Sequence, residues 1–219
     1  MSLLTSSITA AALRLIMTLL MMSAASAADP FIMSIDTTIA GSSGVKSFLL
    51  PLVPYDTYDF SVDWGDGTSQ TVLTATSPLH TYTSAATYQV EITELVAGGF
   101  PAIYFNNGGD CLKLQQISQW GTNAWASLNS AFAGCQNLVI TATDEATANL
   151  SNVTDMSDAW YICPAMTSFP ALVTTHVSNF FGAWYGCSGL SSFPAIDTSN
   201  GTNFFAAWSH CEGPRHFPC

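Results

Sequence analysis

Five cysteines fall in one register along the C-terminal half of this chain. The gaps between them are 24, 28, 24 and 24 residues, at Cys111, Cys135, Cys163, Cys187 and Cys211. Because the residues around them recur in the same phase, the pattern is an internal repeat. A period of roughly 20–29 residues is typical of solenoids, in which each unit buries its apolar face against the next. The repeat indicates a binding surface but does not name the ligand.

Aligned on the cysteines, the repeat contains an eleven-residue segment that occurs at 125–135, 153–163, 177–187 and 201–211. In each segment a large apolar residue, an aromatic residue and the cysteine are spaced i, i+4, i+7, which is one face of a short helix. A hydroxyl residue stands where a helix N-cap is wanted, at Thr154, Ser178 and Thr202. We predict an extended segment after each cysteine, and hence a short leucine-rich-repeat-type α/β solenoid.

The repeated positions predict the core of this solenoid. Residues that share the helix face should be buried, and these are the five cysteines and the aromatic row Phe132, Trp160, Trp184 and Trp208. Aromatic rows can also stack sugars, but we favour a core role because the row shares the cysteine face. Tyr161 and Tyr185 lie beside the row and are candidates for an outward binding surface.

The six cysteines of this chain allow two interpretations. An exported chain commonly forms disulfides, whereas the repeat phase favours a ladder of free, buried thiols. Neighbouring repeats could bring two Cα atoms within bridging distance, so oxidation of one pair stays open. Cys219 is outside the phase and is a candidate for intermolecular pairing. Neither the cysteine nor the histidine spacing matches a zinc site or a catalytic triad, and we expect no metal, cofactor or catalytic residue.

The N-terminus predicts export. A short apolar run, Leu13 to Met22, leads into Ala25-Ser26-Ala27, which is the pattern of a secretory signal peptide over residues 1–27. The alternative is a membrane anchor, but the run is shorter than the roughly 20 residues that a span needs. The mature chain would carry 3 basic and 15 acidic residues, a net charge of −12, which disfavours nucleic acid as a partner.

Residues 28–97 predict a small β-sandwich. Apolar and polar residues alternate over 31–36, 58–64 and 87–92, and Trp64-Gly65-Asp66-Gly67 is a tight-turn signal. With His80-Thr-Tyr82 and Thr87-Tyr88-Gln-Val90 this region resembles the polycystic-kidney-disease (PKD) domain, although Ala86 replaces the usual glycine. The resemblance implies an immunoglobulin-like sandwich that spaces or supports other domains.

Two polar features of this region have a functional and a structural interpretation. Asp63 and Asp66 could be calcium ligands, but we favour a turn role for Asp66 and a solvated one for Asp63. His80 could suggest catalysis, but we favour a packed, hydrogen-bonded histidine.

Residues 98–219 resemble BspA-like leucine-rich repeats of microbial surface proteins. The resemblance rests on the cysteine-ended segments and on the Leu-x-x-Phe-Pro type segments that follow them, in units of about 24 residues, the last one incomplete. It implies a secreted or surface-exposed protein. The chain stops within a repeat, so we expect either a fragment or an end covered by a partner.

We therefore predict a secreted or cell-surface binding protein that is not an enzyme. Its function would be adhesion or protein–protein interaction through the repeats, with a host or matrix protein or a glycan as partner and no membrane span in the mature chain. The alternatives are a polysaccharide-binding accessory region of a secreted hydrolase and a structural envelope spacer.

Overall fold

The computed structural model describes residues 28–212. The predicted signal peptide and Cys219 lie outside the described residues. Residues 28–212 form strands and turns, with no α-helix and with no helix long and apolar enough to cross a bilayer. The elements are β1 (Phe31–Asp36), β2 (Ser47–Leu49), β3 (Phe60–Asp63), β4 (Ser69–Val72), β5 (Leu79–Thr81), β6 (Thr87–Glu94), a 3-10 turn (Cys111–Lys113), β7 (Leu114–Gln119) and β8 (Val139–Ile140).

Six of the strands form one mixed sheet in the order β4-β3-β6-β1-β7-β8. Its pairs are antiparallel except for β7 and β8, which run parallel. Strands β2 and β5 form a second, two-stranded sheet. Aromatic and aliphatic side chains of both sheets share one buried core, an arrangement consistent with a β-sandwich.

The alternating segments form strands as predicted. In β1, Phe31, Met33 and Ile35 are fully buried while the residues between them are partly exposed, because successive strand residues point to opposite faces. The other two alternating segments contain β3 and β6, which are neighbours in the sheet. The strand predictions at 31–36, 58–64 and 87–92 are therefore confirmed, with β3 shorter than its segment.

The main sheet continues past residue 97. Strand β7 pairs with β1, with Met33 opposite Ile117. Asn123 is fully buried and donates from Nδ2 to the carbonyl of Ile92 at 3.0 Å. The division into 28–97 and 98–219 stays a prediction, and the two parts share a sheet and a core.

A buried ion pair fastens the 43–49 loop to the start of β7. Lys113 and Asp110 are 0% and 2% exposed, with Nζ and Oδ1 3.5 Å apart. Lys113 Nζ donates to Ser43 Oγ and to the Ser47 carbonyl, while Asp110 accepts the amides of Ser43 and Leu49. Because these bonds leave neither charge unpaired, the pair is tolerated inside the core.

The eleven-residue segments at 125–135, 153–163, 177–187 and 201–211, here called the turn segments, stack on one another. Each donates backbone N–H groups to carbonyls of the segment that follows. At the aromatic position the bonds run from Phe132 to Ala159, from Trp160 to Ala183 and from Trp184 to Ala207, each at 2.8 Å. Intervening N–H groups close tight turns within the segment, as in Ala159 to Met156 at 3.1 Å.

The predicted short helices are wrong. One equivalent position in each turn segment has a positive φ, which a right-handed helix cannot contain. The angles are 50° at Ser130, 53° at Asp158, 59° at Gly182 and 57° at Ala206. The i, i+4, i+7 spacing instead arises because successive turns return the chain to the same face of the core.

The predicted N-caps are also wrong, by one residue. Asp155 and Asn179 open their turns by accepting an N–H two residues later, from Ser157 at 2.8 Å and from Phe181 at 3.2 Å. Such short polar side chains satisfy the backbone locally and favour turns over helices. The predicted cap Ser178 instead donates its hydroxyl to the carbonyl of Thr154 at 3.3 Å.

The segments after the cysteines pair in short parallel stretches. Gln116 and Ile117 of β7 lie opposite Val139 and Ile140 of β8. Later repeats retain a single parallel bridge between Ser168 and Ser192. The proline that follows each of these serines by two residues has no N–H to donate, which limits the pairing.

Candidate binding surface

The outer part of the turn segments presents one partly exposed strip, here called the turn edge (127–134, 155–162, 179–186 and 203–210). Polar side chains join its repeats. Asn179 Nδ2 donates to Asp155 Oδ1 at 3.0 Å, and Asn129 Nδ2 donates to Ser157 Oγ at 2.6 Å. These bonds hold the side chains in fixed positions, so the turn edge is an ordered surface.

Exposed aromatic rings form two stacked pairs on the turn edge. The rings of Tyr161 and Tyr185, the predicted surface tyrosines, are half-buried and stack at 5.0 Å with 14° between their planes. Phe181 and Phe205 stack at 5.5 Å and are 38% and 70% exposed. The phenylalanine pair was not identified from the sequence, although its two members occupy the same position 24 residues apart.

A small cleft of about 150 Å³ opens on the same edge, beside Tyr161. Asp158 lies in it with Asn106 and Asn107. Partial burial, reinforced by the nearby carboxylate of Asp155, raises the pKa of Asp158. The cleft therefore carries a carboxyl group whose charge is poorly solvated.

The predicted aromatic row forms a column of stacked rings. Phe132 and Trp160 are 5.9 Å apart, Trp160 and Trp184 are 5.8 Å apart, and Trp184 and Trp208 are 5.4 Å apart. Phe132, Trp160 and Trp184 are fully buried, while Trp208 in the last described segment is partly exposed. The three fully buried rings cannot contact a ligand without unfolding of the repeat.

The predicted cysteine positions are occupied by free thiols, of which Cys211 is half-buried and the other four are buried. Three thiols donate to the carbonyl of the aromatic residue in the preceding repeat: Cys163 to Phe132 at 3.2 Å, Cys187 to Trp160 at 3.0 Å and Cys211 to Trp184 at 3.1 Å. Burial raises the pKa of Cys187 to about 12, so this thiol stays protonated and able to donate. Burial also raises the pKa values of Cys135 and Cys163 well above the ordinary value.

The turn at Trp64-Gly65-Asp66-Gly67 is fastened by His80. Asp66 Oδ2 lies 2.8 Å from His80 Nε2, and the rings of His80 and Trp64 stack at 4.8 Å. Partial desolvation acts to raise the pKa of Asp66, but hydrogen bonds from Thr68 and His80 outweigh it and lower the pKa. His80 thus has the packed, hydrogen-bonded environment that we favoured.

The two carboxylates considered as calcium ligands are engaged by the backbone. Asp63 Oδ1 accepts the amide of Gly65 at 2.9 Å, and Asp66 Oδ1 accepts the amide and hydroxyl of Thr68 at 3.0 and 2.6 Å. Among the described residues there is no group of three or more His, Cys, Asp or Glu side chains that could hold a metal ion.

Comparison with known proteins identifies no relative: no family model, no curated protein and no solved structure matches this chain.

Proposed function

We propose that this chain is a secreted or cell-surface protein that binds other proteins, in adhesion, through the turn edge of its repeats. In this proposal residues 28–97 form a PKD-like module, and residues 98–219 form a BspA-like leucine-rich-repeat solenoid in which tight turns replace the helices. Residues 1–27 direct export. The protein is not an enzyme, and its partner is a host or matrix protein.

The observation that carries the proposal is the exposed pair of Phe181 and Phe205. A phenyl ring that is 70% exposed, as in Phe205, costs free energy in water that burial against a partner recovers. Aromatic side chains are also enriched in the centres of protein interfaces. The phenylalanine pair shares the turn edge with a tyrosine pair, so one partner could cover both.

The polar groups of the turn edge suit recognition of a protein. Asn203 and Asn179 hold the turns that carry the two phenylalanines, through bonds to the amides of Phe205 and Phe181 at 3.2 Å each. A surface that is already ordered loses little conformational entropy on binding. With a net charge of −12 after removal of residues 1–27, the chain favours a neutral or basic partner.

The test is a binding measurement on immobilised fibronectin, laminin and collagen, with glycan spots beside them. The variant Phe181→Ser/Phe205→Ser should weaken binding to at least one protein by about tenfold or more, as expected when an aromatic anchor is lost. The matched control is Leu73→Ser/Leu79→Ser, which removes two leucines that are 65% and 60% exposed and lie in or beside the sandwich strands.

Equal weakening by both double variants would contradict the proposal, because it would indicate general stickiness of exposed apolar residues. Binding to polysaccharide spots alone would favour the accessory-region alternative. Silence on every spot would favour the envelope spacer.

A further inference from the structure

A second concave surface lies away from the aromatic pairs, where the 51–56 loop meets the first repeats. Its volume is about 410 Å³, within the range of roughly 300–1,000 Å³ typical of small-ligand pockets. Tyr55 and Asp56 lie on the loop side, and Tyr104, Ser127 and Asn129 lie on the repeat side. We call this surface the junction cleft.

The junction cleft contains polar atoms that no described residue satisfies. The carboxylate of Asp56 receives no hydrogen bond from the described residues. The same holds for Asn129 Oδ1, since the amide nitrogen of that side chain is committed to Ser157. Ser127 Oγ accepts the Asn129 amide at 3.0 Å, which leaves its own hydroxyl hydrogen free to donate. The cleft therefore offers two acceptors and one donor to a ligand.

Two tyrosine rings accompany these atoms. Tyr55 is 93% exposed, and Tyr104 is half-buried at the opposite side. Neither ring stacks on another ring of the described residues. A flat ring with one free face can pack against the C–H groups of a ligand, while its phenol hydroxyl can form a hydrogen bond.

The walls of the cleft are held in place by buried backbone contacts. Tyr58 Oη accepts the Val53 amide at 2.9 Å and donates to the Ala102 carbonyl at 3.1 Å, which joins the loop to the repeat side. The Tyr104 amide donates to the Pro51 carbonyl at 3.2 Å. Burial raises the pKa of Tyr58 to about 12, so its donated hydrogen bond persists at physiological pH.

We infer that the junction cleft binds a neutral saccharide. A sugar ring presents C–H groups on one face and hydroxyls on its rim, which matches tyrosine faces beside carboxylate and amide acceptors. A purely apolar ligand would desolvate Asp56 without pairing it. A sulfated or sialylated sugar would bring negative charge against Asp56 and the acidic chain. The inference is independent of the turn edge and of its protein partner.

The test is titration of the full chain with cellohexaose, chitohexaose, xylohexaose and mannohexaose, followed by calorimetry and by saturation-transfer NMR. At least one of them should bind, and the sulfated pentasaccharide of heparin should not. Tyr55→Ala and Asp56→Asn should each weaken that binding by about tenfold or more, because each removes a direct contact. Circular dichroism of both variants should match the parent, since neither side chain supports the core.

Two matched variants act as controls. Tyr161→Ala removes a tyrosine from the turn edge, and Asp59→Asn neutralises an acid outside the cleft; both should leave saccharide binding unchanged. The inference is overturned if none of the four oligosaccharides binds, if the sulfated sugar binds better, or if the control variants weaken binding as much as the cleft variants. Loss of protein adhesion with Phe181→Ser/Phe205→Ser would leave this result unaffected.

Discussion

The sandwich strands and the turn segments satisfy their backbone in different ways. In the sandwich, β1 exchanges hydrogen bonds with β6 and β7 on either side, and its side chains alternate between core and solvent. In the turn segments one N–H group reaches the next repeat while a neighbour closes a turn within its own repeat. A regular core can therefore be built without either of the two standard backbone periods.

The two parts also differ in how they treat buried polar side chains. In the sandwich part these groups find partners: Tyr82 Oη donates to the Trp64 carbonyl at 3.1 Å, and Lys113 is fully bonded. In the repeats the buried indole nitrogens of Trp160 and Trp184 have no acceptor among the described residues. The stack thus depends on ring packing and thiols, and the sandwich part depends more on hydrogen-bonded polar groups.

The largest expected effect comes from removing a ring at the centre of the stack. Trp184→Ala should lower the free energy of unfolding by about 3–5 kcal/mol, because it leaves a large cavity. Trp184→Phe should cost much less, since Phe132 fills the same position in another repeat and the substitution removes an unpaired N–H. Chemical denaturation measures both, and hydrogen exchange shows which part opens. Equal loss of protection in β1 and in the repeats would mean that the two parts unfold as one unit.

Breaking the buried ion pair should weaken the sandwich part by a similar or slightly smaller amount. Lys113→Met leaves the carboxylate of Asp110 buried without its cation and should cost about 3 kcal/mol or more. The exposed Lys46→Met is the control and should change stability by less than about 0.5 kcal/mol. Thermal denaturation provides the comparison. A Lys113→Met protein as stable as the control would mean that the hydrogen bonds of Asp110 alone hold the loop.

A substitution at Gly182 tests the contact between neighbouring turns. Its φ is 59°, and an added Cβ would lie 2.2 Å from Asp158 Oδ1. Gly182→Ala should cost about 1–2 kcal/mol for the left-handed backbone and more for the clash. Gly98→Ala, at φ 77° in open space, should show the backbone cost alone. Adding Asp158→Ala to Gly182→Ala should recover the difference, and failure to do so in a double-mutant cycle would contradict the proposed clash.

The smallest expected effect depends on pH. Because the pKa of Asp158 is raised in the folded protein, its charge costs stability above that raised pKa, and the cost disappears as the pH falls below the ordinary value. Asp158→Asn should therefore raise the melting temperature slightly at pH 7 and leave it unchanged near pH 3. Hydrogen bonds from Ser199 lower the pKa of Asp197, so Asp197→Asn should have the opposite sign at pH 7. Effects of the same sign would contradict this assignment.

The sequence predicted the strands of the sandwich part because alternation has one structural meaning in a half-buried sheet. It failed at the turn segments because i, i+4, i+7 spacing is shared by a helix and by consecutive tight turns. Only the left-handed residues distinguish the two, and Ser130, Asp158 and Ala206 are not residue types that announce such a conformation. The proposed binding surfaces depend on contacts between distant residues: Tyr55 and Tyr104 line one cleft although they are 49 positions apart. No local pattern marks such a pair.

The hydrogen bonds between turn segments give the stack an electrical direction. The peptide that joins Ala159 to Trp160 accepts a bond from the preceding repeat through its carbonyl and donates one to the following repeat through its N–H. Peptide dipoles linked in this way point along the stack and add, much as they do in a helix, whereas strand dipoles in an antiparallel sheet largely cancel. Each additional repeat lengthens this column of dipoles. The turn edge therefore has a positive pole at its last repeat, and a partner can sense which way the repeats run as well as which residues they carry.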